Sequence, residues 1–224
     1  ALAIHHHQRL CLAQDEAVRD GLTRLYNHAF FRRSLKLAYD LWQRYQRPFA
    51  VIMLDLDSFK GTNDRFGHLT GDAVLAAVGR QIADTTRTVD VPARYGGDEF
   101  AVILTDTAYT GAITLAGRLG RAIGALGLPG VDPVGVSIGV TVVGPSDRHG
   151  IDVLQRADMA LLQAKAQGKN RICGKPIGDM SPPGHQAGSR EQPTQVWPEC
   201  PAALDQAEPA KTVSPPSLAA SWLP

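Results

Sequence analysis

The 224-residue chain is short of cysteine, of aromatic side chains and of net charge. Its three cysteines, Cys11, Cys173 and Cys200, are far apart, odd in number and without a C-x-x-C pair. That excludes a disulfide scaffold and a cysteine-based zinc site, and it fits a reducing compartment. Lys and Arg total 23 against 22 Asp and Glu, a formal charge of +1. Such a balance supplies no general attraction to nucleic acid or to a membrane surface, and no nucleic-acid partner is expected. No apolar run is long enough to span a bilayer, and there is no charged-then-apolar secretory leader. The expectation is a cytoplasmic domain. Any membrane anchoring or upstream sensor would lie outside the chain given, which begins at Ala1 without a methionine. No G-x-x-x-x-G-K-[ST] occurs either, so a P-loop nucleotide site is excluded.

What is present has the composition of a globular domain with extensions: 44% apolar and 20% charged residues. Residues 1–19 read as a leading helix of loose period that the DGLT turn stops. The consecutive His5, His6 and His7 point in different directions around such a helix, which suits a solvated face or a tag remnant better than a metal site. A helix is expected over about 28–46, and FAVIMLDL (Phe49 to Leu56) reads as a strand buried on both faces. An amphipathic helix over about 70–87 carries Val74, Leu75, Val78 and Ile82 on one stripe. A hairpin around Gly96-Gly97 follows, then a helix near 109–126 and a strand from Val134 to Val143. A last helix over about 151–167 is stopped by Gly168. Helices alternating with strands around a hairpin indicate an α/β (α+β) sandwich, with helices on a mixed or antiparallel sheet. From Lys175 to the end, proline, serine, glutamine and alanine dominate without a period, so 175–224 reads as a disordered proline-rich tail.

The chemistry concentrates in acids. RYGGDEFAVIL (Arg94 to Leu104) sets two carboxylates between a glycine pair and an apolar strand. The glycines read as a two-residue type I′ turn, which needs positive φ at both positions. Asp55 and Asp57 end the buried strand, and a neighbouring hairpin would bring Asp98 and Glu99 to meet them. Clustered carboxylates repel one another, and a hard divalent cation with oxygen ligands, completed by substrate phosphates, relieves them. Lys60, Lys165 and Lys169 supply positive charge for a triphosphate. Metal-assisted phosphoryl or nucleotidyl transfer at a sheet margin is the reading these residues support together. Singly, each is as well explained as a turn acid or a solvated lysine.

Five segments in order carry a resemblance: DGLTRLYN (Asp20 to Asn27), LDLDSFKGTNDRFGHLTGD (Leu54 to Asp72), RYGGDEF (Arg94 to Phe100), VSIGV (Val136 to Val140) and RADMALLQAKAQGKNR (Arg156 to Arg171). With them the chain resembles the diguanylate cyclase, or GGDEF, family over about residues 20–174. The resemblance implies a cyclase- and polymerase-palm-like domain, a central mostly antiparallel sheet flanked by helices. It implies condensation of two GTP into cyclic di-GMP and two pyrophosphates by a homodimer with one GTP per subunit. Mg²⁺ or Mn²⁺ is the implied cofactor, bound by Asp55, Asp98 and the Leu56 carbonyl. Glu99 would bind a second metal or assist deprotonation of the 3′-hydroxyl. Ser58, Phe59 and Lys60 match the phosphate-cradling turn, and Lys165 and Lys169 match the basic pair at the triphosphate. Asn63 and Asp72 match the guanine-reading positions, and guanine's N1–H and 2-amino donors suit a carboxylate. Arg87 and Asp90 match an R-x-x-D product-inhibition site for cyclic di-GMP; as residues alone they read as an exposed i,i+3 ion pair. His28, Ser58, Leu162 and Lys169 depart from common family choices without removing a metal ligand. The alternative is a non-catalytic GTP- or cyclic di-GMP-binding regulatory domain, which loss of the motif acids, Asp55 or Lys165 would favour; all are present.

Overall fold

The structure, a computed structural model, describes residues 17–174 and 195–196. The expectations of a leading helix over 1–19 and a disordered tail over 175–224 fall almost entirely outside the described residues, as do His5 to His7, Cys11 and Cys200. Chain order is α1 (His28–Tyr45), β1 (Phe49–Leu56), α2 (Phe59–Phe66), α3 (His68–Thr85), β2 (Val91–Arg94), β3 (Glu99–Thr105), α4 (Tyr109–Gly124), β4 (Val136–Val142), α5 (Gly150–Ala166), β5 (Arg171–Gly174) and the two-residue β6 (Gln195–Val196). The sheet order is β2-β3-β1-β4-β5-β6. All neighbours are antiparallel except β4 and β5, which run parallel around α5. Among the described residues no helix is long and apolar enough to cross a membrane.

Every residue of β1 is buried, because both faces of this central strand are covered. Side chains alternate across a strand, so Ala50, Ile52, Leu54 and Leu56 join α3 (Val74, Val78, Ile82) and α4 (Ala116, Leu119, Ile123) in one core. Phe49, Val51 and Met53 join α1 (Phe31, Leu35, Tyr39, Trp42) and α5 (Val153, Leu154, Ala157, Leu161) in the other. Asp55 continues this second series, which sets a carboxylate beneath α5. Helix α5 lies directly on β4: a Cβ built at Gly139 would stand 2.1 Å from the Ala157 carbonyl and 2.4 Å from the Leu161 nitrogen. A methyl group there would force α5 off the sheet, which explains the glycine in VSIGV. The start of α5 is held by buried Asp147, which accepts from the Gly144 N–H (2.8 Å) and from the Arg156 guanidinium.

One boundary differs from the sequence reading. The expected helix near 70 is preceded by a separate α2, and Gly67 (φ 84°) divides it from α3. FKGTNDRF has too few apolar residues for its period to show; Phe59, buried under the sheet, is its anchor. The stop after α5 matches the reading, with Gly168 at φ 113° just past the Gln167 cap.

Candidate active site

Asp55, only 9% exposed, lies directly opposite Glu99 of β3 and Ser137 of β4 in the ladder. Directly opposed residues share a sheet face, so the register sets two carboxylates side by side, which is unfavourable without a cation. Lys165, near the C-terminal end of α5, reaches down to Asp55 with Nζ 2.7 Å from Oδ2. Burial pushes the Asp55 pKa up; the Lys165 ammonium opposes that rise, while Asp98 and Asp57 add to it. Burial likewise raises Glu99, reinforced by Asp55 and Asp98 and eased by Lys165. One lysine thus leaves the cluster with negative charge to spare.

The turn that presents Asp98 and Glu99 is not of type I′: neither Gly96 nor Gly97 has positive φ. The strands are joined through residues 95–98, closed by Tyr95 N–H and Gly96 N–H onto the Glu99 carbonyl (2.8 and 3.1 Å). The glycines serve space rather than dihedral freedom. A Cβ at Gly96 would stand 2.6 Å from Glu99 Oε2, whereas Gly97 opens onto free space. The Asp98 carbonyl accepts from Leu56 N–H (3.3 Å), docking the turn on the end of β1. Arg94 braces it, donating from Nη2 (2.7 Å) and Nε (3.1 Å) to the Gly97 carbonyl and from Nη1 to Asp20 (3.3 Å). Burial works against the Asp20 carboxylate. The Thr23 N–H and hydroxyl and the Arg94 guanidinium outweigh it and hold the Asp20 pKa below the usual range.

Asp57 does not converge on the acidic cluster as a free carboxylate. It follows the end of β1, and its oxygens accept from Ser137 Oγ (2.7 Å) and Asn170 N–H (2.9 Å). Beyond it, Ser58 (φ 59°) caps α2, whose first-turn N–H groups at Phe59 and Lys60 are those a helix leaves without intrahelical acceptors. Lys169 reaches this turn, Nζ standing 3.4 Å from Ser58 Oγ. Lys60 is exposed on the same turn. Asn63 packs so closely on α3 that a Cβ at Gly71 would meet its Oδ1 at 1.8 Å, which sets it beside the exposed Asp72. Asp55, Leu56, Asp98, Glu99, Lys165, Ser58 to Lys60 and Lys169 therefore gather at one end of the sheet.

Arg87 and Asp90 are elsewhere. Asp90 accepts from Thr105 N–H (3.4 Å), at the far end of β3 from Glu99, a separation of about 20 Å along a seven-residue strand. Asp90 is buried, and it accepts from the main-chain N–H of Arg87 (3.0 Å), not in the exposed ion pair the spacing allowed. Both residues line a cleft of about 340 Å³ with Thr107, Thr114 and Arg118. Arg118, on α4, was missed: nothing local in the sequence ties it to Arg87. Ser137, Asn170, Arg94 and Asp20 were visible within quoted motifs, but their partners were not.

The family model for the diguanylate cyclase GGDEF domain matches residues 17–171. The chain belongs to this family. The probable diguanylate cyclase DgcC of Escherichia coli K12 is 38% identical to it over 168 residues, 74% of this chain and 44% of that protein. The response regulator PleD of Caulobacter vibrioides is 36% identical over 166 residues, 71% of this chain and 36% of that protein. The chain spans less than half the length of either. Among solved structures, the coiled coil and GGDEF domain of DgcB from Caulobacter crescentus, in complex with c-di-GMP, superposes with a TM-score of 0.73 at 30% identity, covering 77% of this chain and 93% of that one. The diguanylate cyclase SiaD of Pseudomonas aeruginosa, in complex with its activator SiaC, has a TM-score of 0.71 at 30% identity and covers 78% and 67%. The mostly antiparallel, helix-flanked sheet is thus the GGDEF-domain fold, with the motif's acids on the turn beside β1.

The strained charge of this GGDEF domain has a measurable consequence. Because folding raises the Glu99 pKa, its contribution to stability is complete below the unfolded-state value and is lost as pH rises through the folded value. Glu99→Gln is therefore expected to raise Tm at neutral pH and to lose that advantage in acid, where Glu99 itself is protonated. A lowered Tm at neutral pH would contradict the repulsion between Glu99 and Asp55.

Proposed function

We propose that this domain is an active diguanylate cyclase that condenses two GTP into cyclic di-GMP and two pyrophosphates. The observation that carries the reading is the opposition of Asp55 and Glu99 beneath Lys165, where the strand leads through Leu56 and Asp57 into a turn of free N–H groups. Asp55, Asp98, Glu99 and the Leu56 carbonyl would hold Mg²⁺ or Mn²⁺. Hard oxygen donors of this kind suit those ions, and among the described residues no three acidic, histidine or cysteine side chains close a metal site alone. Phosphate oxygens and water would complete the coordination. When bound, the ion would neutralise charge growing on the phosphates.

The chain's own groups do the rest. Ser58, Phe59 and Lys60 receive the β- and γ-phosphates through main-chain N–H groups and the Lys60 ammonium. Lys165 exchanges part of its contact with Asp55 for phosphate oxygen, and Lys169, 3.4 Å from Ser58 Oγ, adds its charge at the start of the Ser58–Lys60 turn. Asn63 and Asp72 accept from the N1–H and 2-amino group of guanine. Adenine lacks that donor pair and would leave Asp72 unmatched. Each 3′-hydroxyl oxygen forms a bond to the α-phosphorus of the other GTP, the bond from that phosphorus to the pyrophosphate oxygen breaks, and the hydroxyl proton leaves. Glu99, beside Asp55 at the end of β1, would either complete the cation's ligands or take that proton. Two GTP molecules facing each other require two domains, so the working unit is a homodimer. Residues 20–174 form the catalytic domain, and the leading segment links it to an upstream sensor.

We further propose that cyclic di-GMP returns to the cleft of Arg87, Asp90 and Arg118. Its arginines suit phosphate or the O6 and N7 edge of guanine.

The test is cyclic di-GMP formation from GTP and Mg²⁺ by the purified chain, dimerised through a fused coiled coil. Product is expected from the parent chain and a loss of at least about a hundredfold in Asp98→Ala and in Glu99→Ala. GTP binding without product would favour the regulatory alternative. With the same assay, Arg87→Ala is expected to keep turning over at product concentrations that halt the parent. Equal inhibition of both would remove the product site from this cleft.

A further inference from the structure

We propose that Asp57 is a positioning residue for the triphosphate: acting through the turn Gly168 to Asn170, it holds Lys169 against the Ser58–Lys60 cradle. The inference rests on the GTP-binding role proposed above for that cradle.

Three consecutive residues after α5 have left-handed backbones, Gly168 (φ 113°), Lys169 (φ 61°) and Asn170 (φ 46°). Glycine adopts this conformation freely. For a residue with a Cβ it is disfavoured, less so for asparagine, so the turn needs an outside tether. Part of it comes from the helix end, where Gly168 N–H and Lys169 N–H donate to the Lys165 and Ala164 carbonyls (3.3 and 3.0 Å). The tether toward β1 is the Asp57 carboxylate, which accepts from Asn170 N–H at 2.9 Å. A hydrogen bond to a charged acceptor is among the stronger ones, and this one holds the left-handed pair toward β1. The same carboxylate accepts from Ser137 Oγ (2.7 Å), and the Asp57 N–H donates to the Gly135 carbonyl (2.9 Å). Asp57 is thus fixed to β4 from both its main chain and its side chain.

The geometry joins two halves of a clamp on one residue. The main chain of Asp57 leads directly into Ser58, which starts the cradle. Its side chain grips the turn that carries Lys169, whose ammonium stands 3.4 Å from Ser58 Oγ. Space for this arrangement comes from Gly135, where a Cβ would stand 3.1 Å from Asp57 Oδ2. Each carboxylate oxygen accepts one of these bonds, so the side chain ties β4 and the lysine turn together. Without Asp57 the lysine turn would relax away from the cradle, and misplacement of a charged group by an ångström is enough to weaken binding greatly.

The experiment is a double-mutant cycle in the full chain with Asp57→Ala, Lys169→Ala and the pair. It is read by calorimetric GTP binding with Mg²⁺ and by amide hydrogen exchange. Asp57→Ala is expected to weaken GTP by about tenfold, as Lys169→Ala does, and the pair by little more than either alone, since both remove one interaction. The Asn170 amide should exchange faster in Asp57→Ala while Ala157 and Leu161 in α5 stay protected. Asp57→Asn, whose amide oxygen can take the place of Oδ2 as acceptor for Asn170 N–H while its NH₂ faces Ser137 Oγ, should restore part of the affinity, and it replaces Asp57→Ala in the cycle if that variant does not fold. Unchanged GTP affinity in Asp57→Ala, or losses that multiply in the pair, would overturn the proposal. A parent chain that binds GTP without turning it over fails the enzyme reading alone; one that binds no GTP fails both.

Discussion

The structure depends on one unfavourable contact: two carboxylates, Asp55 and Glu99, opposed across the β1–β3 ladder under a helix. A hydrophobic strand such as β1 would be more stable ending in an apolar or neutral residue, and the raised pKa values of both acids record the cost. Lys165 offsets part of it from α5. The remaining charge is what a divalent cation would neutralise, so the site is built at the expense of the fold around it.

Its surroundings keep that contact in place by subtraction. Gly139 lets α5 lie close enough on β4 for Lys165 to reach Asp55. Gly96 leaves room for the Glu99 side chain, and Gly71 lets Asn63 settle beside Asp72. None of the three has a left-handed backbone. Each is glycine because a neighbouring atom occupies the place of its Cβ. Left-handed backbones near the site fall instead at Ser58, Lys169 and Asn170, where the chain turns sharply around the start of α2.

The two ends of β3 carry different chemistry. Glu99 begins the strand at the acidic site, and Thr105 ends it at Asp90, beside the cleft with Arg87 and Arg118. Between them run five buried residues of the sheet. The far cleft is lined by Leu104 of the strand that begins at Glu99, so the two regions share β3 without sharing a residue.

The core was legible because its signal is local. The apolar run Phe49 to Leu56 and the stripe of α3 need no partner to be recognised, and the linked motifs named the acids and lysines. What escaped was set by tertiary neighbours. The glycine pair before Asp98 is a turn, but its φ values depend on where Glu99 lies. Asp57 looked like a further acid of the cluster until Ser137 and Asn170, distant in sequence, came to meet it. Arg118 became part of a site only because α4 packs beside β3, and α2 was hidden by its sparse apolar period. The measurement that tests the central claim most directly is calorimetric titration with a non-hydrolysable GTP analogue, with Mg²⁺ and then with a chelator, in the parent chain and in Asp55→Asn. Affinity that needs Mg²⁺ in the parent and is weak in Asp55→Asn under both conditions is the expected result. Equal affinity with and without the cation would contradict the view that these opposed acids exist to hold it.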